Sequence, residues 1–193
     1  MTNATSERRL RVIPLGGLGE IGRNMTVFEY GDDIIIVDVG LMFPEEEMLG
    51  VDLVIPDFSY IRENSDKLRA VFITHGHEDH VGALPYFLRE FSAPIYATRL
   101  TNGLVRVKLK EHRLLDRTSL NEVSPGDSIT AGCFEVEFFS VAHSIPDACG
   151  LIIRTPLGVI VHTGDFKLDH TPVMEQSTDL VRLGQVGGEG CLL

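Results

Sequence analysis

Short apolar runs, broken by glycine, proline and acidic turns, recur along the chain at lengths that suit strands more often than helices. Arg11–Leu15, Thr26–Tyr30 and Ile34–Asp38 read as strands, the last two joined by a turn at Gly31-Asp32-Asp33. Val71–Thr74 and Pro94–Ala97 are two more short strands. Ser128–Thr130, Phe134–Val141, Leu151–Thr155 and Val159–Thr163 follow, with Pro156-Leu157-Gly158 as a tight turn between the last pair. Apolar residues at helical spacing predict helices over Val81–Phe91, near Leu100–Leu115 and near Ser177–Leu183. Phe43–Asp57 is a long loop whose Glu45-Glu46-Glu47 run suits a solvated surface, and residues 1–8 read as a flexible tail.

Hairpins, buried strands and helices in this mixture predict an α/β layered fold, with helices covering a mixed sheet. The final Gly190-Cys191-Leu192-Leu193 has the character of a buried strand just beginning. The expectation is therefore that residues 9–193 are the front portion of a longer domain.

Composition narrows the function classes only slightly. The chain has 193 residues, 44% hydrophobic and 23% charged, the ordinary balance of one globular domain. Its net charge of −11, from 17 basic and 28 acidic residues, argues against a simple cationic nucleic-acid module, whose affinity rests on neutralising phosphates. An enzyme acting on nucleic acid stays open, because bound divalent cations supply local positive charge. Cys133, Cys149 and Cys191 show no C-x-x-C spacing, so they read as small buried hydrophobes in a reducing compartment. The polar N-terminus has no apolar signal core, and no run approaches the ~20 residues of a membrane helix. A cytoplasmic protein with no membrane association is the expectation.

Two motifs invite chemistry. Gly17-Leu18-Gly19-Glu20-Ile21-Gly22 matches the glycine pattern of dinucleotide-binding folds. That pattern needs a helix to follow, whereas Asn24–Tyr30 is β-prone and Gly31 turns the chain back at once. A hairpin is the better reading. The second motif, His75-Gly76-His77-Glu78-Asp79-His80, crowds three imidazoles and two carboxylates onto one turn after an apolar strand. Its H-E-D-H spacing is one residue short of the H-E-x-x-H helix of zinc proteases. The alternation H-x-H-x-D-H instead lets His75 and His77 chelate one ion, while Asp79 and His80 reach a second. Imidazole and carboxylate together suit zinc or manganese.

Further ligands must come from elsewhere in the chain. His143 follows the strand ending near Val141, and Asp165 follows the strand ending near Thr163. Asp165 suits a carboxylate bridging two ions. Asp38, at the end of Ile34–Val37, reads as a support that orients a ligating imidazole. His162, within a strand, His112, on a charged helix, and His170, in a loop, are read as structural.

Taken together, Asp38, His75-x-His77-x-Asp79-His80, His143 and Asp165 resemble the pattern of the metallo-β-lactamase superfamily. Within it, the chain is most similar to the ribonuclease J family of the β-CASP nucleases. The stretches that carry this are GGLGEIGRNM (16–25), FPEEEMLGVDLVIPDF (43–58), ITHGHEDHVGALPY (73–86), YATRLT (96–101) and HTGDFKLD (162–169). The resemblance implies an αβ/βα layered fold, of which this chain is the first part. It implies that His75, His77 and His143 hold one Zn2+, that Asp79 and His80 hold another, and that Asp165 bridges them. Mn2+ and Mg2+ are the alternative ions.

Asp79, His80 and Asp165 then carry catalysis: two cations ~3.5–4 Å apart orient the scissile phosphate and activate water. The implied reaction is hydrolysis of RNA phosphodiester bonds, by 5′-exonuclease and endonuclease action, in a homo-oligomeric protein. The β-CASP domain and one further histidine ligand of the second ion are absent from these residues, so weak or no activity is expected of them alone. Two other classes stay open. One is a hydrolase of another ester or thioester on the same fold. The other is a non-catalytic nucleotide-binding module using Gly17–Gly22.

Overall fold

A computed structural model describes residues 9–169, 171–172 and 177–193; the predicted tail and His170 lie outside them. The first sheet contains β1 (Leu10–Gly16), β2 (Met25–Tyr30), β3 (Asp33–Val37), β4 (Leu68–Phe72), β5 (Ile95–Ala97) and β6 (Leu120–Glu122), adjacent in that order. Pairing is antiparallel from β1 to β3 and parallel from β3 to β6. Between these strands lie α1 (Ser59–Glu63), α2 (Glu78–Val81), α3 (Leu84–Glu90) and α4 (Arg99–Glu111). A second, wholly antiparallel sheet holds β7 (Ser128–Ala131), β8 (Phe134–Ser140), β9 (Cys149–Thr155) and β10 (Gly158–His162), and α5 (Leu180–Glu189) follows it.

The four layers arise from side chains that alternate along central strands with no polar face. In β3, Ile34 and Ile36 enter one core with Phe87, Val105 and Leu109 of α3 and α4. Ile35 and Val37 point the other way, into a core with Phe134, Val136, Phe138 and Leu151 of the second sheet. Such strands read as continuous apolar runs because both faces are covered. The outer face of the second sheet buries Phe139, Ile152 and Val159 against Val186 of α5. The order is helix, sheet, sheet, helix. The expected α/β fold is present in the αβ/βα order that the resemblance implied, one sheet mixed and the other antiparallel.

Four local expectations need correction. The helix predicted over Val81–Phe91 divides at Gly82-Ala83, and Pro85 lies in the first turn of the new helix. Gly82 packs too closely for a side chain, since a Cβ there would approach the Leu41 side chain and the Glu78 carbonyl at 2.4 and 2.5 Å. The last helix starts later than predicted, at Leu180, where the Asp179 carboxylate accepts from the Arg182 N–H at 2.8 Å. It then runs through Gly184, Gly187 and Gly188, because the burial of Val186 outweighs their low helix propensity. Cys191 does pair with β10 at Val159, but Leu192 and Leu193 are exposed rather than buried. Cys149 alone is a buried cysteine; Cys133 is half-buried and Cys191 exposed.

The glycine motif does not open a nucleotide-binding helix. Residues 17–24 form an irregular loop joining β1 to β2 in an antiparallel hairpin, as the β-prone residues after it predict. No helix among the described residues is long and apolar enough to cross a membrane.

Candidate metal centre

Every candidate ligand lies just beyond the C-terminal end of a strand, and the two sheets bring those ends to one rim. Asp38 follows β3, His75 and His77 follow β4, His143 follows β8, and Asp165 follows β10. Parallel strands leave their carboxyl ends free to build sites in this manner. His77 stands at the entry of α2 with extended backbone, and its carbonyl accepts the His80 and Val81 N–H groups at 2.9 and 3.0 Å. That single turn carries Asp79 and His80.

The turn is clamped by backbone. The Glu78, Asp79 and His80 carbonyls accept the N–H groups of Leu41, Asn24 and Val39 at 3.1, 3.0 and 2.8 Å. Gly40 passes so close that a Cβ on it would lie 1.6 Å from the Asp79 oxygen. The His143 and Asp165 loops are joined by a bridge at Ala142 and Lys167, whose N–H donates to the Ala142 carbonyl at 2.7 Å. Thr178 completes that join, its hydroxyl accepting from the Ala142 N–H at 3.0 Å and donating to the Lys167 carbonyl at 2.9 Å.

Two groups of donors result. The ligand atoms of His75, His77 and His143 all lie within 4.8 Å of one another, as do those of His75, His80 and Asp165. Asp165 Oδ2 lies 3.6 Å from His80 Nε2 and 3.7 Å from His143 Nε2, so one carboxylate faces both groups. Asp79 Oδ2 stands 3.6 Å from His80 Nε2. All six predicted ligands therefore come together, although the second group draws on His75 where the sequence suggested Asp79.

Asp38 is buried directly behind the site. Its Oδ1 accepts the Thr74 N–H and its Oδ2 the Thr74 hydroxyl, each at 2.8 Å, and Oδ2 faces His80 Nδ1 at 2.8 Å. This leaves His80 Nε2 aimed at the donor group. Asp38 adopts φ +61°, a left-handed conformation that aspartate tolerates better than most residues.

The electrostatics favour positive charge here. Burial opposes charge on His80, but Asp38, Asp165 and Asp79 outweigh it and lift its pKa to about 10. The hydrogen bond to His80 is the main cause holding Asp165 down at about 2. Burial, then the charge on His80, push His75 down to about 3, and burial lowers His143.

A divalent cation fits these residues on two grounds. The donors are imidazole and carboxylate in the combination zinc prefers. In addition, His143 Nε2 is a buried polar atom with no hydrogen-bond partner among the described residues, which suits a donor held for an ion.

Three residues near the site escaped the sequence reading. Thr74 links Asp38 to the imidazoles, its hydroxyl lying 3.0 Å from His75 Nδ1. His162, assigned a structural place, accepts the Gly164 N–H at 3.2 Å and lines a 330 Å³ cleft with Asp38, His80 and Asp165. Asn24 reaches Asp79 and His80 from the glycine loop. A polar residue sandwiched between a glycine cluster and a strand was the available signal for Asn24. His112 remains remote from the centre, beside Arg89 and Tyr86.

The fold and this rim of histidines and aspartates match a known family over residues 18–181, described as the metallo-beta-lactamase superfamily, and the chain belongs to it. Within that class the chain is similar to ribonucleases J. It is 48% identical to the Synechocystis ribonuclease J, covering 100% of this chain and 31% of that one. It is 51% identical to the Thermus thermophilus ribonuclease J, covering 95% and 33% respectively. The chain thus spans about a third of the length of these relatives. Among solved structures, the metallo-beta-lactamase fold protein YhfI from Bacillus subtilis superposes with a TM-score of 0.57 at 20% identity, covering 87% of this chain and 68% of that one. That likeness concerns the fold alone.

Proposed function

We propose that the chain carries most of the two-ion centre of a ribonuclease that hydrolyses RNA phosphodiester bonds in the cytoplasm. The single observation that carries this reading is Asp165 Oδ2, placed 3.6 and 3.7 Å from imidazoles of two adjoining donor groups. The similarity to ribonucleases J supplies the substrate class.

His75, His77 and His143 hold one ion; Asp79 and His80 hold the other; Asp165 lies between them. Zn2+ is the proposed metal, and when bound it supplies Lewis acidity and a nucleophilic water at neutral pH. The chain's own residues do the rest. Asp38 fixes the His80 ring through Nδ1, and Thr74 ties Asp38 to the strand end. The half-exposed Asp79 carboxylate would orient the attacking water, and because metal-bound water ionises near neutral pH no separate strong base is required. The cations offset an acidic surface that would otherwise repel RNA.

Both 5′-exonucleolytic and endonucleolytic cuts, and a homo-oligomeric assembly, belong to this proposal. So does the view that residues 9–193 form the first part of a larger metallo-β-lactamase domain. The second ion has fewer protein ligands here than the first, so the 193 residues alone are expected to cleave RNA weakly or not at all.

The test pairs elemental analysis of the zinc-loaded chain with cleavage of 5′-monophosphorylated RNA by a polypeptide of the relatives' length carrying this chain. Cleavage abolished by chelator, restored by Zn2+ and lost in Asp165→Asn supports the proposal. Cleavage indifferent to chelator, or a chain that takes up no divalent ion, refutes it.

A further inference from the structure

The glycine loop, a nucleotide site by motif and a plain hairpin by topology, has a different task in the structure. Asn24 closes that loop one residue before β2. Its backbone N–H donates to the Asp79 carbonyl at 3.0 Å, and its own carbonyl accepts from Gly40 at 2.9 Å. Its side-chain Nδ2 donates to the same Asp79 carbonyl at 3.1 Å and to Asp79 Oδ2 at 3.3 Å, and lies 3.1 Å from His80 Nε2. Two oxygens of Asp79 face this nitrogen. Turning the carboxamide over would set oxygen against oxygen, so its orientation is fixed.

The loop holds the carboxamide from behind. Gly17, at φ +84°, packs so close that a Cβ there would lie 2.3 Å from Asn24 Oδ1. Glu20 braces the loop, accepting the Gly17 N–H at 3.2 Å and pairing with Arg23 at 2.7 Å.

We propose that Asn24 is a positioning residue for the Asp79–His80 ion site. Its amide nitrogen donates to Asp79 Oδ2 at 3.3 Å and lies 3.1 Å from His80 Nε2, on two of the residues that would hold that ion. This rests on the two-ion reading above. The Asn24 N–H groups set partial positive charge against two oxygens of Asp79, the carbonyl and Oδ2. Asn24 therefore governs how well Asp79 is aimed, while His75, His77 and His143 lie beyond its reach. Gly17 is required because a side chain there would displace the carboxamide.

The experiment is a Co2+ titration of the 193-residue chain, followed by visible absorption, whose bands separate a site with three imidazoles from one with a single imidazole and more carboxylate. Asn24→Ala is expected to weaken the second site by about 10–100-fold, the usual effect of losing an orienting partner, and to leave the first within about twofold. Gly17→Ala, which touches neither ion's ligands, is expected to reproduce that selective loss. Asn24→Asp sets a carboxylate against the Asp79 oxygens; it is expected to lower the metal-free Tm and enlarge the rise on adding Co2+. Second-site affinity unchanged in Asn24→Ala, or equal loss at both sites, overturns the proposal and leaves the two-ion reading standing. A wild-type chain that takes up no second ion overturns both.

Discussion

Replacing Asp38 by alanine tests the part of the site that does not itself touch a cation. Asp38 is 2% exposed and accepts from three donors at 2.8 Å: the Thr74 N–H, the Thr74 hydroxyl and His80 Nδ1. Its carboxyl is held below the usual carboxylate range even though burial, the largest influence, acts the other way; the charge on His80, its hydrogen bond and the nearby His162 and His75 together outweigh it. Removing one partner of a buried pair costs about 3–5 kcal/mol, because the other charge is left without compensation. Alanine at φ +61° adds about 1 kcal/mol of backbone strain. The sum, about 4–6 kcal/mol, is a large share of the roughly 5–15 kcal/mol that stabilises a domain.

Asp38→Asn separates charge from shape. Asparagine tolerates the same φ and still accepts the Thr74 N–H, so its expected cost is about 1–3 kcal/mol. The assay is urea unfolding of the chelated protein at pH 7, followed by far-UV circular dichroism, which removes any contribution from bound metal. An Asp38→Ala midpoint equivalent to less than about 1 kcal/mol of destabilisation would falsify the argument, because a buried unpaired imidazolium cannot be that cheap. Equal losses in both variants would show that charge, not shape, is what matters.

Three other outcomes are expected. Gly40→Ala places a Cβ 1.6 Å from the Asp79 oxygen, so α2 must shift; the variant should lose about 1–3 kcal/mol or more in urea unfolding, and much of its zinc by elemental analysis. Asp33 accepts from Arg69 Nε at 2.6 Å and the Cys133 N–H at 2.8 Å, which together hold its carboxyl low against the opposing effect of burial. Its stabilisation is present above the ordinary value of 3.8 and is lost as pH falls through the lowered one. Asp33→Asn should therefore cost about 1 kcal/mol at pH 7 and progressively less below pH ~4; a gap that widens in acid would contradict the pairing. Finally, free Zn2+ at about 100 times its dissociation constant should stabilise the chain by about 2.7 kcal/mol, seen as a rise in Tm that chelator reverses.

The site was most legible where the candidate residues are neighbours. Within His75–His80 the residue spacing sets which side chains leave the turn together, and His75, His77 and His80 lie within the two donor groups, with Asp79 beside His80. Asp38 was legible as a support because an acid ending an apolar strand is costly unless it has a partner. Asn24 was legible only as a polar residue between a glycine cluster and a strand, and its contacts were not. Its partners are Asp79, 55 residues away, and His80, 56 away, and nothing in Arg23-Asn24-Met25 announces them. His162 looked like an ordinary strand residue because its approach to Asp38 depends on how the second sheet packs on the first.

Strand β6, Leu120-Asn121-Glu122, was missed for a related reason. It lacks an apolar run and exists because β5 offers it an edge. The sequence by itself determined the short apolar strands, the crowded histidine turn and the hairpin at the glycine loop, since each follows from periodicity or turn chemistry within a few residues. Only the tertiary structure decided how the two sheets pack, that their carboxyl ends meet at one rim, and that Asn24 reaches the Asp79–His80 turn. Those depend on which apolar faces pack together, and burial is non-directional: it rewards removing surface from water without specifying, along the chain, which surface will cover it.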